Sequence, residues 1–208
     1  MLIFDIGASN GIFSKKYSQT AIIYAFEPNK TNIIKLRENC GNINNYNIIE
    51  KAISDKEGTV EFFEANYTNS SSLLPFTNEV KKWKNPTPTT PLLQTINSYN
   101  IEAIRLDTFI KQQNLQNATI DFIKIDTQGH DLNVIKSLGD YIKNVREILC
   151  EVQITNFDLY KDQSNKNELL SYMKEYNFEI RKVQPWSHNQ EENIWFINKN
   201  FTSFFNLE

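Results

Sequence analysis

The hydrophobic positions of the chain form short apolar runs that alternate with stretches of helical spacing. Apolar runs at residues 1–4 and 21–26 predict two buried strands. Residues 10–20 can form a helix after a glycine turn, and residues 28–41 begin with proline, carry apolar residues at helical intervals and end at glycine. Residues 46–54 predict a third strand. This order of strands and helices is typical of a parallel α/β sheet.

The second half of the chain repeats this rhythm. Strands are predicted at 120–126, 146–154, 178–184 and 193–198, and helices at 131–142 and 165–177. The last two strands are joined by a loop too short for a crossover helix, which predicts one antiparallel strand beside the parallel sheet.

Length and composition bound the architecture. The chain has 208 residues, of which 40% are hydrophobic, so we expect a single domain over residues 1–208. Residues 65–105 contain all but two of the six prolines and show little periodicity. A loop of this length in a compact domain is usually functional or disordered, and we expect a lid over a ligand here.

Charge and cysteine content narrow the function classes. The formal net charge of −3 provides no basic field for nucleic acid or an anionic membrane. Cys40 and Cys150, the two cysteines, are expected to be reduced core residues. No apolar run approaches the ~18 residues of a membrane span, and no charged and apolar leader precedes the first strand. We therefore expect a soluble cytoplasmic protein.

The turn after the first strand is rich in glycine and small polar residues. It reads DIGASNG over residues 5–11. Ligands of doubly wound sheets bind beyond the carboxyl ends of the strands, where glycine lets the backbone approach them closely. The turn lacks the middle glycine of the dinucleotide fingerprint, which admits a pyrophosphate. Asp5 suits a cationic group, such as the amino group of a methionine moiety, better than a diphosphate.

Glu27 ends the second strand, about 20 residues after Gly7, where an acid can accept hydrogen bonds from both hydroxyls of a ribose. A ribose and an amino acid without a diphosphate between them describe S-adenosylmethionine (SAM). The glycine turn alone could be a tight turn without a ligand. Together with Glu27 and Pro28 it predicts a SAM site.

Seven segments, in order over nearly the whole chain, resemble the FkbM-type SAM-dependent methyltransferases. They are FDIGASNGIFS, AFEPN, EKAISDKEGTVEFF, SSSLL, IRLDTFI, DFIKIDTQGHDLNVIKSLG and ILCEVQ. The KID-x-x-G block and LDTF are more specific than the glycine turn. The resemblance implies the Rossmann-like class I methyltransferase fold, with helices on both faces of a seven-stranded sheet of order 3-2-1-4-5-7-6, in which strand seven is antiparallel. The family mostly methylates hydroxyl groups of sugars, polyketides and similar small molecules.

Carried onto this chain, the resemblance implies how SAM would bind. The methionine part would contact the glycine turn, the ribose would contact Glu27, and the methyl group would lie near Asp126. The predicted cofactor-binding residues are Asp5, Gly7, Ala8, Ser9, Asn10, Gly11, Glu27, Pro28, Ala52, Ile53 and Asp126, with Ala52 and Ile53 flanking the adenine. The chain departs from the commoner KID-x-E-G-x-E pattern, because Gln128 and Asp131 replace the two glutamates. The loss of one carboxylate puts any acid-dependent or metal-dependent version of the mechanism in doubt.

Three residues are candidates for the proton transfer that accompanies methylation. Asp126 ends a strand beside the cofactor and is predicted to be the general base or an orienting group, with capping of the next helix as the alternative. His130 lies on the same loop and titrates near neutrality, so it could be the base instead, or a capping residue. Glu151, near the end of the fifth parallel strand, faces the pocket region or forms a buried ion pair. With Asp131 these residues could gather a divalent metal, but no spacing fixes a geometry, so no metal site is predicted.

The acceptor is expected to contact the irregular segment. Ser70, Ser71 and Ser72 offer hydroxyls to the cofactor or the acceptor, or form a plain polar loop. Trp83 can stack on an acceptor such as a sugar ring, whereas Trp186 and Trp195, beside the last strands, are expected in the core.

Two alternatives to a methyltransferase of small hydroxylated or carbohydrate acceptors stay open at this point. One is a nucleotide-dependent dehydrogenase, which Asp5 and the missing middle glycine disfavour. The other is a non-catalytic protein that binds the cofactor as part of a complex. Many relatives carry an extension before strand one that this sequence lacks, so we expect a site that is more open or completed by a partner.

Overall fold

The computed structural model describes residues 1–84, 87 and 89–203. The strands are β1 (Leu2–Ile6), β2 (Ile22–Phe26), β3 (Tyr46–Ile49), β4 (Ala52–Ile53), β5 (Gly58–Ala65), β6 (Thr95–Ile104), β7 (Ile120–Ile125), β8 (Val145–Gln153), β9 (Phe178–Trp186) and β10 (Glu191–Asn198). The helices are α1 (Ile12–Lys15), α2 (Lys30–Cys40), α3 (Leu106–Gln112), α4 (Asp131–Lys136) and α5 (Lys166–Glu175). Short 3-10 helices cover Thr68–Ser70, Asn78–Lys82 and Gly139–Asn144.

Seven strands form one sheet in the order β3-β2-β1-β7-β8-β10-β9. The first five strands of this order, β3, β2, β1, β7 and β8, pair in parallel. Strand β10 is antiparallel to both of its neighbours, β8 and β9. The predicted strand order and the antiparallel last strand are therefore confirmed. The carboxyl ends of β1, β2, β7 and β8 meet at one edge, and the start of the antiparallel β10 reaches the same edge.

A second sheet, of order β4-β6-β5, corrects two predictions. Residues 95–104 are not irregular, because β6 pairs antiparallel with β5 over most of its length. Its first residues are polar and mostly exposed, so they show no hydrophobic alternation. The predicted strand 46–54 is divided: Tyr46–Ile49 joins the main sheet and Ala52–Ile53 joins the second. The irregular segment is shortened to residues 66–94, of which 85, 86 and 88 lie outside the described residues.

The main sheet is covered on both faces, as predicted. In β1, Leu2, Phe4 and Ile6 point into a core shared with α3, α4 and α5. Ile3 points to the opposite face, where it packs in a second core that includes Leu36 of α2. Every residue of β1 is buried, as expected for a central parallel strand.

Predictions for the cysteines, Trp195 and the first helix can also be compared with the structure. Cys40 and Cys150 are buried free thiols, in agreement with their expected role. Trp195 packs as expected, stacking on Phe122 with ring centroids 5.4 Å apart. The helix predicted at 10–20 is limited to the four residues of α1. Among the described residues, no helix is both long and apolar enough to span a bilayer.

Gly11 is the N-cap residue of α1, and packing requires a glycine at this position. Its φ is +77°, and a Cβ there would lie 2.5 Å from Cδ1 of Leu36 and 2.8 Å from Sγ of Cys40. Left-handed backbone strains any other residue, and the contacts leave no room for a methyl group. Gly58 provides a control, because its φ is +99° and a Cβ there would meet nothing within 4 Å.

Gly11→Ala should lower the free energy of unfolding by about 2 to 5 kcal/mol, because backbone strain and overpacking both act. Gly58→Ala should lower it by only about 1 to 2 kcal/mol, because strain acts alone. Urea denaturation of the two variants and the wild type measures both values. Equal losses would show that the contacts with Leu36 and Cys40 do not restrict this position.

Candidate active site

A cavity of about 900 Å³ opens at the edge of the main sheet where the parallel strands end. This is near the upper limit of the range, about 300 to 1,000 Å³, for small-molecule sites. Among the predicted site residues it is lined by Gly7, Ser9, Glu27, Pro28, Ala52, Ile53, Ser70, Ser71, Ser72, Trp83, Asp126 and Glu151. The lining does not include Asp5, Ala8, Asn10, Gly11 or His130.

The glycine turn forms the wall at the end of β1. The N–H groups of Gly7 and Ala8 both donate to the carbonyl oxygen of Phe26, at 3.0 Å each, which ties the turn to the end of β2. Gly7 has a φ of +71°, and a Cβ there would lie 1.9 Å from the carbonyl oxygen of Asp126. Only glycine therefore allows the turn to approach the end of β7 this closely.

Glu27 is held by the backbone on both sides. Its Oε2 accepts a hydrogen bond from the N–H of Ser9 at 2.7 Å, and its Oε1 accepts one from the N–H of Asn29 at 2.8 Å. Burial raises the pKa of Glu27 to about 7, although these hydrogen bonds act in the opposite direction. The side chain of Asn32 also forms a hydrogen bond with Glu27, and the carboxylate keeps lone-pair capacity for a neighbouring hydroxyl.

A buried lysine connects the turn to Asp126. Nζ of Lys124 donates to the carbonyl oxygen of Gly7 at 2.7 Å and lies 3.4 Å from Oδ2 of Asp126. It also lies 3.6 Å from Oδ1 of the fully buried Asp5. Burial alone would lower the pKa of Lys124, but the two carboxylates outweigh it and raise the pKa. Asp5 is thus placed beside Lys124, beneath the cavity surface and not in the lining.

Gln128 joins two carboxylates. Its Nε2 donates to Oδ1 of Asp126 at 2.8 Å and to Oε2 of Glu151 at 3.2 Å. Its Oε1 accepts from the hydroxyl of Tyr160, which lies 2.9 Å away and equally far from the carbonyl oxygen of Ser70. Gln128 has a φ of 57°, in the left-handed region. This network fixes Asp126 and Glu151 relative to the segment around Ser70.

Glu191 completes the acidic edge, and we did not predict it. It lines the cavity at the start of β10 and forms a side-chain hydrogen bond with Glu151. Burial raises the pKa of Glu191 to about 7. Burial, followed by the nearby charges of Asp126 and Glu191, raises the pKa of Glu151 well above its usual value. No sequence motif marks Glu191, which reaches the site only through the pairing of β10 with β8.

His130 lies away from the cavity. Its Nε2 is 3.2 Å from Oγ of Ser54, and its Nδ1 is 3.3 Å from Nδ2 of Asn133. Burial lowers its pKa to about 4, below the near-neutral range expected from the sequence. The residue occupies the N-cap position of α4, but its side chain makes no capping hydrogen bond.

Asp131, the next residue, is also buried. Its Oδ2 accepts from the N–H and hydroxyl of Thr127, at 3.3 and 3.1 Å, and burial raises its pKa to about 7. Across the described ranges, no group of three or more His, Cys, Asp and Glu side chains is arranged to hold a metal ion.

The segment that contains Ser70, Ser71 and Ser72 is held by hydrogen bonds to neighbouring parts of the chain. Oγ of Ser72 donates to the carbonyl oxygen of Gln128 at 2.8 Å, and Oγ of Ser71 accepts from the N–H of Ala65 at 3.0 Å. The hydroxyl of Ser9 donates to Oδ1 of Asn69 at 2.9 Å. These contacts attach the segment to the glycine turn and to the loop after β7, so that it covers the cavity.

Two tryptophans line the cavity. Trp83 was expected there, but Trp186 was expected in the core, and that prediction is wrong because Trp186 is 52% exposed. The backbone N–H of Lys84 donates to Oε1 of Gln190 at 2.7 Å, and Nε2 of Gln190 donates back to the carbonyl oxygen of Lys84 at 3.1 Å. The segment that carries Trp83 is thereby attached to the turn between β9 and β10.

Comparison with known families identifies the protein class. The family model "Methyltransferase FkbM domain" matches residues 5–180. The chain belongs to the FkbM methyltransferase family. It is therefore a SAM-dependent methyltransferase, and the dehydrogenase alternative is not supported.

Two curated relatives are similar to this FkbM methyltransferase. The 2-O-methyltransferase NoeI of Sinorhizobium fredii is 25% identical over 178 residues, which cover 84% of this chain and 72% of the relative. The hexuronic acid methyltransferase AglP of Haloferax volcanii is 24% identical over 156 residues, which cover 73% of this chain and 55% of the relative. The chain thus matches only part of the length of each relative.

A solved structure shows the same fold. The chain is similar to the magnesium protoporphyrin IX methyltransferase ChlM of Synechocystis PCC 6803 with bound SAM, with a TM-score of 0.50 and 9% identity. The likeness covers 96% of this chain and 70% of that chain. At this identity it supports the fold alone.

The environment of Glu27 leads to a prediction for SAM binding by the FkbM methyltransferase. Below pH 7 the Glu27 carboxyl of the free protein is mostly protonated. If ribose hydroxyls donate to it, SAM binding favours the ionised form, so that the proton is released on binding. SAM affinity should then rise with pH up to about 7, by about tenfold between pH 6 and pH 8. Glu27→Gln should weaken binding at pH 8 by about tenfold to a few hundredfold, because charge-assisted hydrogen bonds are lost, and should flatten the pH response.

Isothermal titration calorimetry at several pH values measures both effects. Glu38→Gln, an exposed substitution on α2, is the control and should behave like the wild type. Unchanged affinity of Glu27→Gln would mean that the ribose binds elsewhere.

Proposed function

We propose that the protein O-methylates a hydroxyl group of a sugar or a similar small molecule, with Asp126 as the general base or orienting group. The observation that carries the proposal is the position of Asp126. Its side chain is 39% exposed at the cavity, and Lys124 and Gln128 hold one carboxylate oxygen each. The names of NoeI and AglP support a carbohydrate acceptor.

The residues around the cavity fit SAM. Gly7 and Ser9 would contact the methionine part, Glu27 the ribose, and Ala52 with Ile53 the adenine. Three observations support this arrangement. Gly7 lets the turn after β1 approach the end of β7 closely, backbone N–H groups hold both carboxylate oxygens of Glu27, and Ala52 and Ile53 are buried at the cavity wall. Bound SAM supplies a methyl group on a positively charged sulfur, which is transferred to the acceptor oxygen.

The side chains at the strand ends would prepare the acceptor for this transfer. Asp126 accepts a hydrogen bond from the acceptor hydroxyl, which orients the oxygen, and takes its proton as the oxygen gains the methyl group. Lys124 places a positive charge 3.4 Å from one carboxylate oxygen of Asp126, and Gln128 fixes the rotation of the carboxylate. Trp83 would provide an apolar wall for the acceptor ring, and Ser70, Ser71 and Ser72 would close the site from the lid side.

Asp126→Asn tests the proposed role, because it keeps the shape of the side chain and removes its charge. Methyl transfer should fall by about 10² to 10⁴, the usual contribution of positioned proton transfer, while SAM affinity changes by less than about threefold. Release of S-adenosylhomocysteine with a panel of methyl glycosides measures turnover, and calorimetry measures binding.

His130→Gln is the matched comparison and should keep most of the wild-type turnover, because His130 lies outside the cavity. A loss in this variant and not in Asp126→Asn would assign the base to His130. SAM binding by the wild type without transfer to any hydroxyl compound would favour a non-catalytic protein. Dialysis against a chelator tests a metal requirement, which would appear as lost turnover in the wild type.

A further inference from the structure

Three carboxyl groups line the cavity beyond the end of β7. Asp126, Glu151 and Glu191 follow one another across β7, β8 and β10. Gln128 bridges the first two, and a side-chain hydrogen bond joins the last two. They are therefore neighbours along one wall of the cavity, on the side where the proposed function places the acceptor.

Three lysines lie near this wall or line the cavity. Lys84 is exposed and is hydrogen-bonded to Gln190 through its backbone. Lys124 lies between Asp126 and Asp5. Lys51 lines the cavity beside the second sheet and pairs with Glu102 at 2.8 Å. In the described part of the chain, neither Glu151 nor Glu191 forms an ion pair with lysine or arginine. Glu191 lines the cavity, and burial raises its pKa only to about 7, so it leaves a negative charge on the wall at pH 8.

An aromatic surface adjoins these acids. Trp186 stands opposite Glu191 in the pairing of β9 with β10, and both line the cavity. A half-exposed indole offers an apolar surface for the C–H face of a sugar ring, while carboxyl groups exchange hydrogen bonds with its hydroxyls. A sugar that carries a carboxylate would instead bring a like charge towards Glu151 and Glu191.

We propose that Glu151 and Glu191, together with the adjoining Trp186, restrict the acceptor to uncharged sugars and reject sugars that carry a carboxylate. The proposal rests on the proposed function and names its substrate class. Like charges about 4 Å apart repel enough, even in water, to change a rate about fivefold, and more where water is partly excluded. Glu191 is therefore a specificity-determining residue for this methyltransferase.

The charge beside Trp186 can be measured without an acceptor. Quenching of tryptophan fluorescence by caesium and by iodide at pH 8 and equal ionic strength reports the local charge, and Trp186→Phe identifies the share of Trp186 in the signal. Caesium should quench Trp186 more than iodide does, and Glu191→Gln should reduce the caesium-to-iodide ratio at least about twofold. Glu192→Gln removes the same formal charge from the next residue, which is paired with Lys166, and should leave the ratio unchanged. A ratio that is the same in Glu191→Gln and in the wild type would overturn the proposal.

Matched acceptors test the consequence for specificity. With SAM present, methyl glucoside and methyl galactoside are compared with the corresponding methyl glucuronide and galacturonide. The neutral member of a pair should be methylated at least about fivefold faster, and Glu191→Gln should diminish this preference. Equal or faster methylation of the uronides would overturn the proposal and leave the proposed function intact. Absence of transfer to every sugar, with SAM binding retained, would contradict the sugar acceptor itself and the proposal with it.

Discussion

The close approach of Gly7 to the backbone of Asp126 is the constraint on which the site depends. A single methyl group at Gly7 would collide with the carbonyl oxygen of Asp126, so the turn after β1 and the end of β7 can meet only through glycine. The N–H of Asp126 donates to the carbonyl oxygen of Ile6 at 3.0 Å, and Lys124 binds the carbonyl oxygen of Gly7 from below. The turn that we assign to the cofactor therefore lies next to the carboxylate that we assign to the acceptor.

This proximity concentrates negative charge, and the side chains around it compensate in two ways. Lys124 is buried between Asp5 and Asp126 and has contacts with both. Removing one partner of such a buried group typically costs about 3 to 5 kcal/mol, because the remaining charge loses its compensation. Gln128 supplies an amide that donates to Asp126 and Glu151 at once. A glutamate there, as in the commoner motif, would add a fourth carboxylate to this wall, so the departure from the motif suits the acids of this chain.

The same network joins the covering segment to the sheet. Tyr160 lies within hydrogen-bond distance of both Gln128 and Ser70, and Ser72 bonds the backbone of the loop after β7. The covering segment is thereby positioned by the residues that hold the carboxylates. Its shape and the orientation of Asp126 are consequently linked through direct contacts.

The sequence was sufficient for the parts of the molecule that depend on local patterns. Apolar runs locate β1, β2, β7 and β8. Residues at the ends of parallel strands meet at one edge, which explains why Glu27 and Asp126 could be expected to line one cavity. β6 was missed because its first half is polar and exposed, and it is defined by pairing with β5. Glu191 and Trp186 were missed because long-range strand pairing brings them to the site. His130 lies outside the cavity lining, because proximity in a loop does not determine the direction of a side chain.

The central claim is that the glycine turn and Glu27 bind SAM so that its sulfur lies beside Asp126. A crystal structure with S-adenosylhomocysteine tests this directly. We expect both ribose hydroxyls within hydrogen-bond distance of the Glu27 carboxylate, and the sulfur at the end of β7, facing Asp126. A ribose bound away from Glu27, or a sulfur separated from Asp126 by another part of the chain, would contradict it.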